Sequence, residues 1–179
     1  GGLIARHAVV GDDRLRAMGL VNTEQPQGLG FRFKLFLAPR RLPGFRAAFA
    51  WAVAQPRLRC HPLLLGDCFV DRSLIDGEFD EFFLRPIYTE PARLDAAMKL
   101  LLSFDERHVL ELGAIHRRLR APVQLVWGAR DPFFPLDWAQ AMVETFPDAR
   151  LHVVPDAKLF VHEERPDAVA EALLGVLAG

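Results

Sequence analysis

An apolar run that ends in a glycine and an aspartate occupies positions 122–135, where the sequence reads PVQLVWGARDPFFP. A short apolar run bounded by turn residues is typical of a buried strand in a parallel sheet. The next residues have apolar side chains at helical spacing, at Leu136, Ala139, Met142, Val143 and Phe146. Open α/β sheets place ligands and catalytic groups outside the carboxyl ends of their strands, so Asp131 is the first candidate for a functional residue.

Strand and helix patterns alternate on both sides of this run. Upstream, the apolar pattern over 1–10 favours a helix, and Leu15–Val21 favours a buried strand that closes at Asn22. Downstream, we expect a strand at Leu151–Val154 and an amphipathic helix that begins near Pro166. Strand, helix, strand and helix joined by short connections predict a parallel α/β sheet.

The middle of the chain, over 31–120, has a different character. Turn and breaker residues interrupt it, and helical patterns lie between them at Phe45–Ala54, Ile75–Leu84, Ala92–Leu102 and Glu106–Leu119. Ten of the 14 phenylalanines fall in 31–104. These rings either line a lid over an apolar substrate pocket or fill the insert's own core, and both interpretations stay open. We therefore divide the chain into a core segment 1–30, a helical cap 31–120 and a core segment 121–179.

Composition excludes several classes of function. The 22 basic and 23 acidic side chains nearly cancel, which argues against a nucleic-acid partner. No apolar run reaches the roughly 18 residues of a membrane span, and the chain opens GGLIARHAVV without a basic leader. We expect a cytoplasmic protein that has no membrane partner.

The sequence also contains no motif that is typical of a cofactor site or a metal site. Cys60 and Cys68 form neither a disulfide scaffold nor a zinc motif, and no His, Cys and carboxylate group has metal-ligand spacing. There is no glycine-rich phosphate loop. No local context singles out His7, His61, His108 or His116. We expect no cofactor and no metal.

Two segments, 127–135 and 160–167, resemble the C-terminal third of an α/β-hydrolase. The resemblance is to the branch that includes haloalkane dehalogenases, epoxide hydrolases and related esterases. In this family a strand followed by Gly-x-x-Asp carries the acid, and a Gly-His-Phe before a Glu-x-Pro helix start carries the histidine. The opening Gly-Gly-Leu-Ile-Ala resembles the helix after the family's nucleophile elbow. The resemblance covers essentially the whole chain and implies an α/β-hydrolase-type parallel sheet with an inserted helical cap.

The family's nucleophile has no counterpart in these 179 residues. The elbow needs Gly-x-Ser-x-Gly, or Asp in place of Ser, and neither Ser73 nor Ser103 has glycines two residues to either side. The resemblance therefore implies that the nucleophile, Ser or Asp, lies just upstream of Gly1. It also implies that the missing N-terminal part of the same protein is a partner of this chain.

The resemblance assigns roles to four positions. Asp131 would orient an imidazole and stabilise its charged form, or it is a turn residue before Pro132. Alignment of the helix start puts Leu159 at the position of the family's histidine, and leucine cannot accept a proton. His162, about one helical turn further on, is either the substitute base or an exposed residue at a helix start. Glu24 is either an alternative acid or a plain turn residue.

Two functions remain open at this stage. The first is a hydrolase of the α/β-hydrolase fold that acts on a small apolar ester, epoxide or haloalkane. The second is a catalytically lapsed protein of the same fold that binds a ligand or a partner instead. Leu159 favours the second function, whereas Asp131 and the aromatic cap are compatible with both.

Overall fold

The computed structural model describes residues 1–177. The chain divides into two compact units, one formed by residues 1–30 together with those from Asp105 onward, and one formed by Phe31–Phe104. The second unit therefore ends before the predicted cap boundary at 120. The last part of the predicted cap, residues 106–120, forms two short helices whose buried side chains pack within the first unit. Residues 178 and 179 of the predicted core segment 121–179 lie outside the described residues.

The first unit contains a three-stranded parallel sheet in the order β1-β2-β3. The strands are β1 Met18–Val21, β2 Val123–Gly128 and β3 Ala149–Val154. The helices of this unit are α1 Gly2–Val9, α7 Glu106–Leu110, α8 Leu112–His116, α9 Leu136–Val143, α10 Val161–Glu164 and α11 Pro166–Leu177. The predicted parallel α/β sheet is confirmed.

Strand β2 is the centre of this sheet, and all six of its residues are buried. Met18 pairs with Val123 on one side, and Val123 pairs with Ala149 on the other. A strand that has parallel neighbours on both edges and that also contacts helices α9 and α11 is shielded from water, which explains its mainly apolar sequence. Trp127 is fully buried, and its indole Nε1 donates to the Phe134 carbonyl at 2.9 Å.

The carboxyl ends of β2 and β3 are joined by an apolar cluster. It consists of buried side chains from two strands, the loop after β3 and two helices: Val126, Val154, Ala157, Val161 and Val169. This packing fixes α10 and α11 against the sheet, because each apolar side chain removed from water stabilises the fold by about 1.5–3 kcal/mol.

The second unit is helical throughout. Its elements are α2 Phe31–Leu37, a 3-10 helix Ala38–Arg41, α3 Phe45–Ala54, α4 Pro56–Arg59, a 3-10 helix Arg72–Asp76, a π-helix Asp80–Leu84, α5 Arg85–Thr89 and α6 Pro91–Ser103. The rings of Phe69 and Phe79 are buried and meet edge to face at 5.0 Å, whereas Phe31 and Phe82 are exposed. Some of the phenylalanines thus fill the unit's own interior. Within residues 1–177, no helix is long and apolar enough to cross a membrane.

Candidate active site

Asn22 joins the carboxyl ends of strands β1 and β2. It follows the last residue of β1, and its backbone has a positive φ of 29°. Its Oδ1 accepts a hydrogen bond from the Gly128 amide at 2.9 Å, and its Nδ2 donates to Asp131 Oδ2 at 2.6 Å. A buried non-glycine residue with positive φ is uncommon and is concentrated at functional sites. We had interpreted Asn22 only as the end of a strand, so sequence reasoning missed this role.

Asp131 lies in the turn that follows β2, with its side chain buried. Besides Asn22, its partners are backbone amides: Oδ1 accepts from Phe133 N at 2.7 Å and from Phe134 N at 3.2 Å. Burial raises the pKa of Asp131 to about 6, although these three donors act in the opposite direction. Among the described residues, no cationic side chain forms an ion pair with it. The carboxylate is therefore held in place by hydrogen bonds, but no positive charge balances its negative charge among the described residues.

The loop after β3 packs directly against the turn that carries Asp131. The Ala157 carbonyl lies 2.7 Å from the point where a Cβ on Gly128 would stand, so only glycine fits there. The same carbonyl accepts a hydrogen bond from the Arg130 amide at 3.0 Å. The backbone of 157–158 is thereby fixed beside the residues that precede Asp131. Leu159, at the position of the family's histidine, is half-buried in the turn between β3 and α10.

His162 is the second residue of helix α10, and 46% of its side chain is exposed. Its Nε2 lies 3.7 Å from Glu163 Oε1. Burial lowers the pKa of His162, and the charge of Glu163 opposes this shift. Over residues 1–177, no hydrogen bond or ion pair joins His162 to Asp131. The two predicted catalytic residues thus follow neighbouring strands, and within residues 1–177 they are joined by neither a hydrogen bond nor an ion pair.

Glu24 is held by neighbours that differ from those of Asp131. The Thr23 hydroxyl donates to Glu24 Oε2 at 2.5 Å, and Arg6 Nη2 lies 3.7 Å from the same oxygen. Only 14% of the Glu24 side chain is exposed. This carboxylate is therefore used to balance a buried arginine. We retain Asp131 as the candidate acid.

Arg6 is fully buried, although it lies on a helix that was predicted from the spacing of its apolar residues. The residue Ile4 on the same helix is 59% exposed, whereas Arg6 is 0% exposed. The Arg6 guanidinium donates to the Gly2 and Glu24 carbonyls, both at 2.9 Å, and to Thr23 Oγ1 at 3.2 Å. Burial lowers the pKa of Arg6 to about 10, and Glu24 opposes this shift. The guanidinium thus replaces its lost water by protein acceptors.

His116 is a further acceptor for Arg6. Its Nε2 lies 3.1 Å from Arg6 Nη1, and a guanidinium can only donate, so the proton of this imidazole is on Nδ1. Nδ1 then donates to Thr145 Oγ1 at 2.7 Å, and the ring stacks on Phe146 at 3.8 Å. Burial, together with the Arg6 charge, lowers the pKa of His116 to about 3. We call Arg6, Thr23, Glu24, His116 and Thr145 the Arg6 cluster.

Nothing in the sequence predicts that the members of the Arg6 cluster lie together. Its members come from α1, the loop after β1, α8 and the turn after α9, and none has a distinctive neighbour in the sequence. The signal for Asn22 was available, because asparagine tolerates positive φ better than most residues and follows a predicted strand directly.

The arrangement around Asp131 suits one chemical task. An oriented, unneutralised carboxylate at the carboxyl end of a parallel strand can fix the tautomer of an imidazole and stabilise its protonated form. The other bonds of Asp131 hold its position without supplying a countercharge.

Comparison with known proteins identifies the same architecture. The sequence model of a family described as "Alpha/beta hydrolase family" matches residues 1–172. An alpha/beta hydrolase fold protein from Burkholderia ambifaria superposes with a TM-score of 0.68 at 23% identity, over 98% of this chain and 62% of that structure. A 2-hydroxy-6-oxo-6-phenylhexa-2,4-dienoate hydrolase from Rhodococcus sp. strain RHA1 superposes with a TM-score of 0.67 at 20% identity, over 100% of this chain and 61% of that structure.

Similar sequences among characterised proteins carry related names. A 2-hydroxy-6-oxo-6-phenylhexa-2,4-dienoate hydrolase from Burkholderia cepacia is 30% identical over 157 residues, which are 86% of this chain and 52% of that protein. A 2-hydroxy-6-oxononadienedioate/2-hydroxy-6-oxononatrienedioate hydrolase from Comamonas testosteroni is 30% identical over 155 residues, with the same coverage of 86% and 52%. The chain thus spans about half the length of these relatives.

Proposed function

Because this chain belongs to the alpha/beta hydrolase family, we propose that the whole protein is a hydrolase. In this hydrolase the Asp131 carboxylate orients the catalytic imidazole and stabilises its protonated form. The observation that carries this proposal is the buried Asp131 carboxylate, which Asn22 and two backbone amides hold at the carboxyl end of β2 without a cation. Burial raises the pKa of Asp131 to about 6, and the three hydrogen bonds only partly oppose this shift. An imidazolium formed during catalysis would supply a countercharge.

His162 is our candidate for the base. Leu159 cannot accept a proton, and His162 follows it by three residues at the start of α10. The lowered pKa of His162 keeps its ring neutral near pH 7, which is the form that accepts a proton. Rotation of this half-exposed side chain would bring its ring toward Asp131.

The nucleophile comes from outside residues 1–179 in this proposal. Helix α1 begins at Gly2, directly after the position at which the family's elbow would end. The Thr23 side chain lies so close to Gly2 that a Cβ there would stand 2.9 Å from the Thr23 Cβ. The start of α1 is thus packed against the loop that follows β1, next to Asn22.

We propose that the substrate is a 2-hydroxy-6-oxodienoate, because the two relatives at 30% identity are hydrolases of such compounds. Hydrolysis of such a compound at its C6 ketone breaks the bond between C5 and C6. Water supplies the oxygen of the new carboxylate, and the electron pair of the broken bond is taken up by the conjugated chain, which is then protonated. The small apolar ester, epoxide or haloalkane predicted by the sequence resemblance is the second candidate class.

The test uses the full-length protein with 2-hydroxy-6-oxo-6-phenylhexa-2,4-dienoate, simple esters, epoxides and haloalkanes as separate substrates. We expect turnover of the dienoate, measured by loss of its conjugated absorption. Asp131→Asn is expected to lower kcat by about 10³-fold to 10⁴-fold, because a neutral side chain cannot stabilise the imidazolium. Asp137→Asn, an exposed position on the same connection, should leave the rate unchanged.

The base is tested in the same assay. We expect His162→Gln to lower kcat by at least 100-fold, whereas His152→Gln, at an exposed position on β3, should have no effect. Turnover that survives His162→Gln would exclude His162 as the base. Turnover of an ester, epoxide or haloalkane alone would replace the proposed substrate class. A full-length protein without turnover on any of them would overturn the hydrolase proposal in favour of a binding protein.

A further inference from the structure

His7 lies on the surface of the first unit together with His108 and Glu111, which are about a hundred residues further along the chain. His7 lies in the last turn of α1, and His108 and Glu111 lie at α7 and directly after it. Each residue offers one ligand atom, and these three atoms lie within 4.8 Å of one another. We had expected no metal, because no such group is visible along the sequence, where 100 residues separate His7 from His108.

The hydrogen bond of His7 prepares its ring for a metal. His7 Nε2 lies 2.9 Å from the His108 carbonyl oxygen, and a carbonyl can only accept, so Nε2 carries the proton. Nδ1 is then the nitrogen that keeps a lone pair. Metal-ligating histidines in proteins almost always donate their other ring N–H to a carbonyl or carboxylate in this way.

The other two ligands lie near each other at the end of α7. His108 and Glu111 are three residues apart, and His108 Nδ1 lies 3.4 Å from Glu111 Oε2. The His7 and His108 rings are nearly perpendicular, with their centroids 5.5 Å apart. Both His108 and Glu111 are more than half exposed, so their side chains are free to adjust by the small movements that closure around an ion requires.

We propose that His7, His108 and Glu111 form a binding site for a divalent transition-metal ion of the Zn²⁺ type. Two imidazoles and one carboxylate are a ligand set that Zn²⁺ accepts in tetrahedral geometry, with a water molecule in the fourth position. The bound ion would connect α1 to α7. It would therefore hold helix α1 in place from its C-terminal end, while the Arg6 cluster holds it from within the unit.

The site is tested by isothermal titration of the untagged full-length protein with Zn²⁺ alone. We expect one ion per chain at this site, and at least tenfold weaker binding in His108→Ala and in His7→Ala, because each removes one of three protein ligands. Glu111→Gln keeps the size of the side chain and should also weaken binding. The midpoint of thermal unfolding should rise with Zn²⁺ in the wild type and not in His108→Ala.

His152→Ala is the matched control, because His152 is an exposed histidine of the same unit outside the cluster. It should bind Zn²⁺ as tightly as the wild type. If the half-buried His7 proves necessary for folding, the two exposed positions still decide the result. Equal binding by the wild type, His108→Ala and Glu111→Gln would overturn the proposal, as would an equal loss in His152→Ala. None of these measurements depends on hydrolase activity.

Discussion

Arg6 and Asp131 are two buried ionisable residues of the same unit with opposite surroundings. The Arg6 guanidinium has carbonyl, hydroxyl and imidazole acceptors and a carboxylate 3.7 Å away. Within residues 1–177, the Asp131 carboxylate has three neutral N–H donors and no ion pair with a cation. Burial lowers the pKa of Arg6 to about 10, where it stays charged at neutral pH, and raises that of Asp131 to about 6, close to neutrality.

This difference separates a structural charge from one that is available for chemistry. Every partner of Arg6 belongs to the fold itself, so its charge contributes to holding α1, the loop after β1 and α8 together. Asp131 is fixed in orientation but lacks a countercharge, and a site of this kind gains stability when a cation forms beside it. The comparison therefore predicts different consequences when each residue is changed.

The largest effect is expected for Arg6→Met. Methionine fills part of the volume but removes the donor from the Gly2 and Glu24 carbonyls, Thr23 Oγ1 and His116 Nε2. It also leaves the Glu24 carboxylate without its buried countercharge. Removal of one partner of a buried ionic cluster typically costs about 3–5 kcal/mol. Urea unfolding of the full-length protein should show this loss, whereas Arg16→Met at an exposed position should change the free energy of unfolding by less than about 0.5 kcal/mol. Equal losses in the two variants would show that the cluster is not structural.

A smaller effect is expected from the acid titration of His116. Its native pKa of about 3 lies below the ordinary value of 6.5, so the unfolded chain takes up the proton first as the pH falls below 6.5. The contribution of His116 to the free energy of unfolding is therefore present at neutral pH and is lost on acidification. Between pH 7 and pH 4 this loss amounts to about 3 kcal/mol. His116→Gln should abolish this part of the acid loss, and His152→Gln should retain it. A wild type and a His116→Gln variant with parallel pH profiles would contradict the assignment.

The smallest effect is the opposite titration of Asp131. Its native pKa of about 6 lies above the ordinary value of 3.8, so the native protein takes up the proton first. This group stabilises the fold as the pH falls from 6 toward 4, by about 2 kcal/mol, and that contribution is lost as the pH rises through 6. Asp131→Asn should therefore lose more stability on acidification than the wild type, while Asp137→Asn should follow the wild type. Identical profiles for Asp131→Asn and wild type would show that burial does not raise this pKa.

The sequence predicted the elements whose cause is local. Short, mainly apolar runs bounded by turn residues predicted β2 and part of β3, and a glycine and an aspartate after β2 indicated the candidate acid. The strand predicted at Leu15–Val21 begins only at Met18, and the helix predicted at Glu106–Leu119 is two shorter helices, α7 and α8. Boundaries depend on hydrogen bonds that the pattern of side chains does not specify.

The parts that sequence reasoning missed all depend on tertiary contacts. Arg6 was placed on a helix by its neighbours, but its burial follows from acceptors on residues as distant as His116. The ligand cluster of His7, His108 and Glu111 has the same origin. Periodicity reports which residues share one face of one element, and it carries no information on which distant polar group will meet that face.

The backbone around position 159 has a consequence for how this protein evolves. It is fixed by the Arg130 amide on the Ala157 carbonyl and by the Lys158 amide on Glu164 Oε2, at 3.0 and 2.7 Å, and by the absence of a side chain at Gly128. None of these interactions involves the Leu159 side chain. These backbone interactions therefore do not distinguish an imidazole from an isobutyl group at this position. Selection for proton transfer would do so, and a single codon change in either direction leaves these interactions intact.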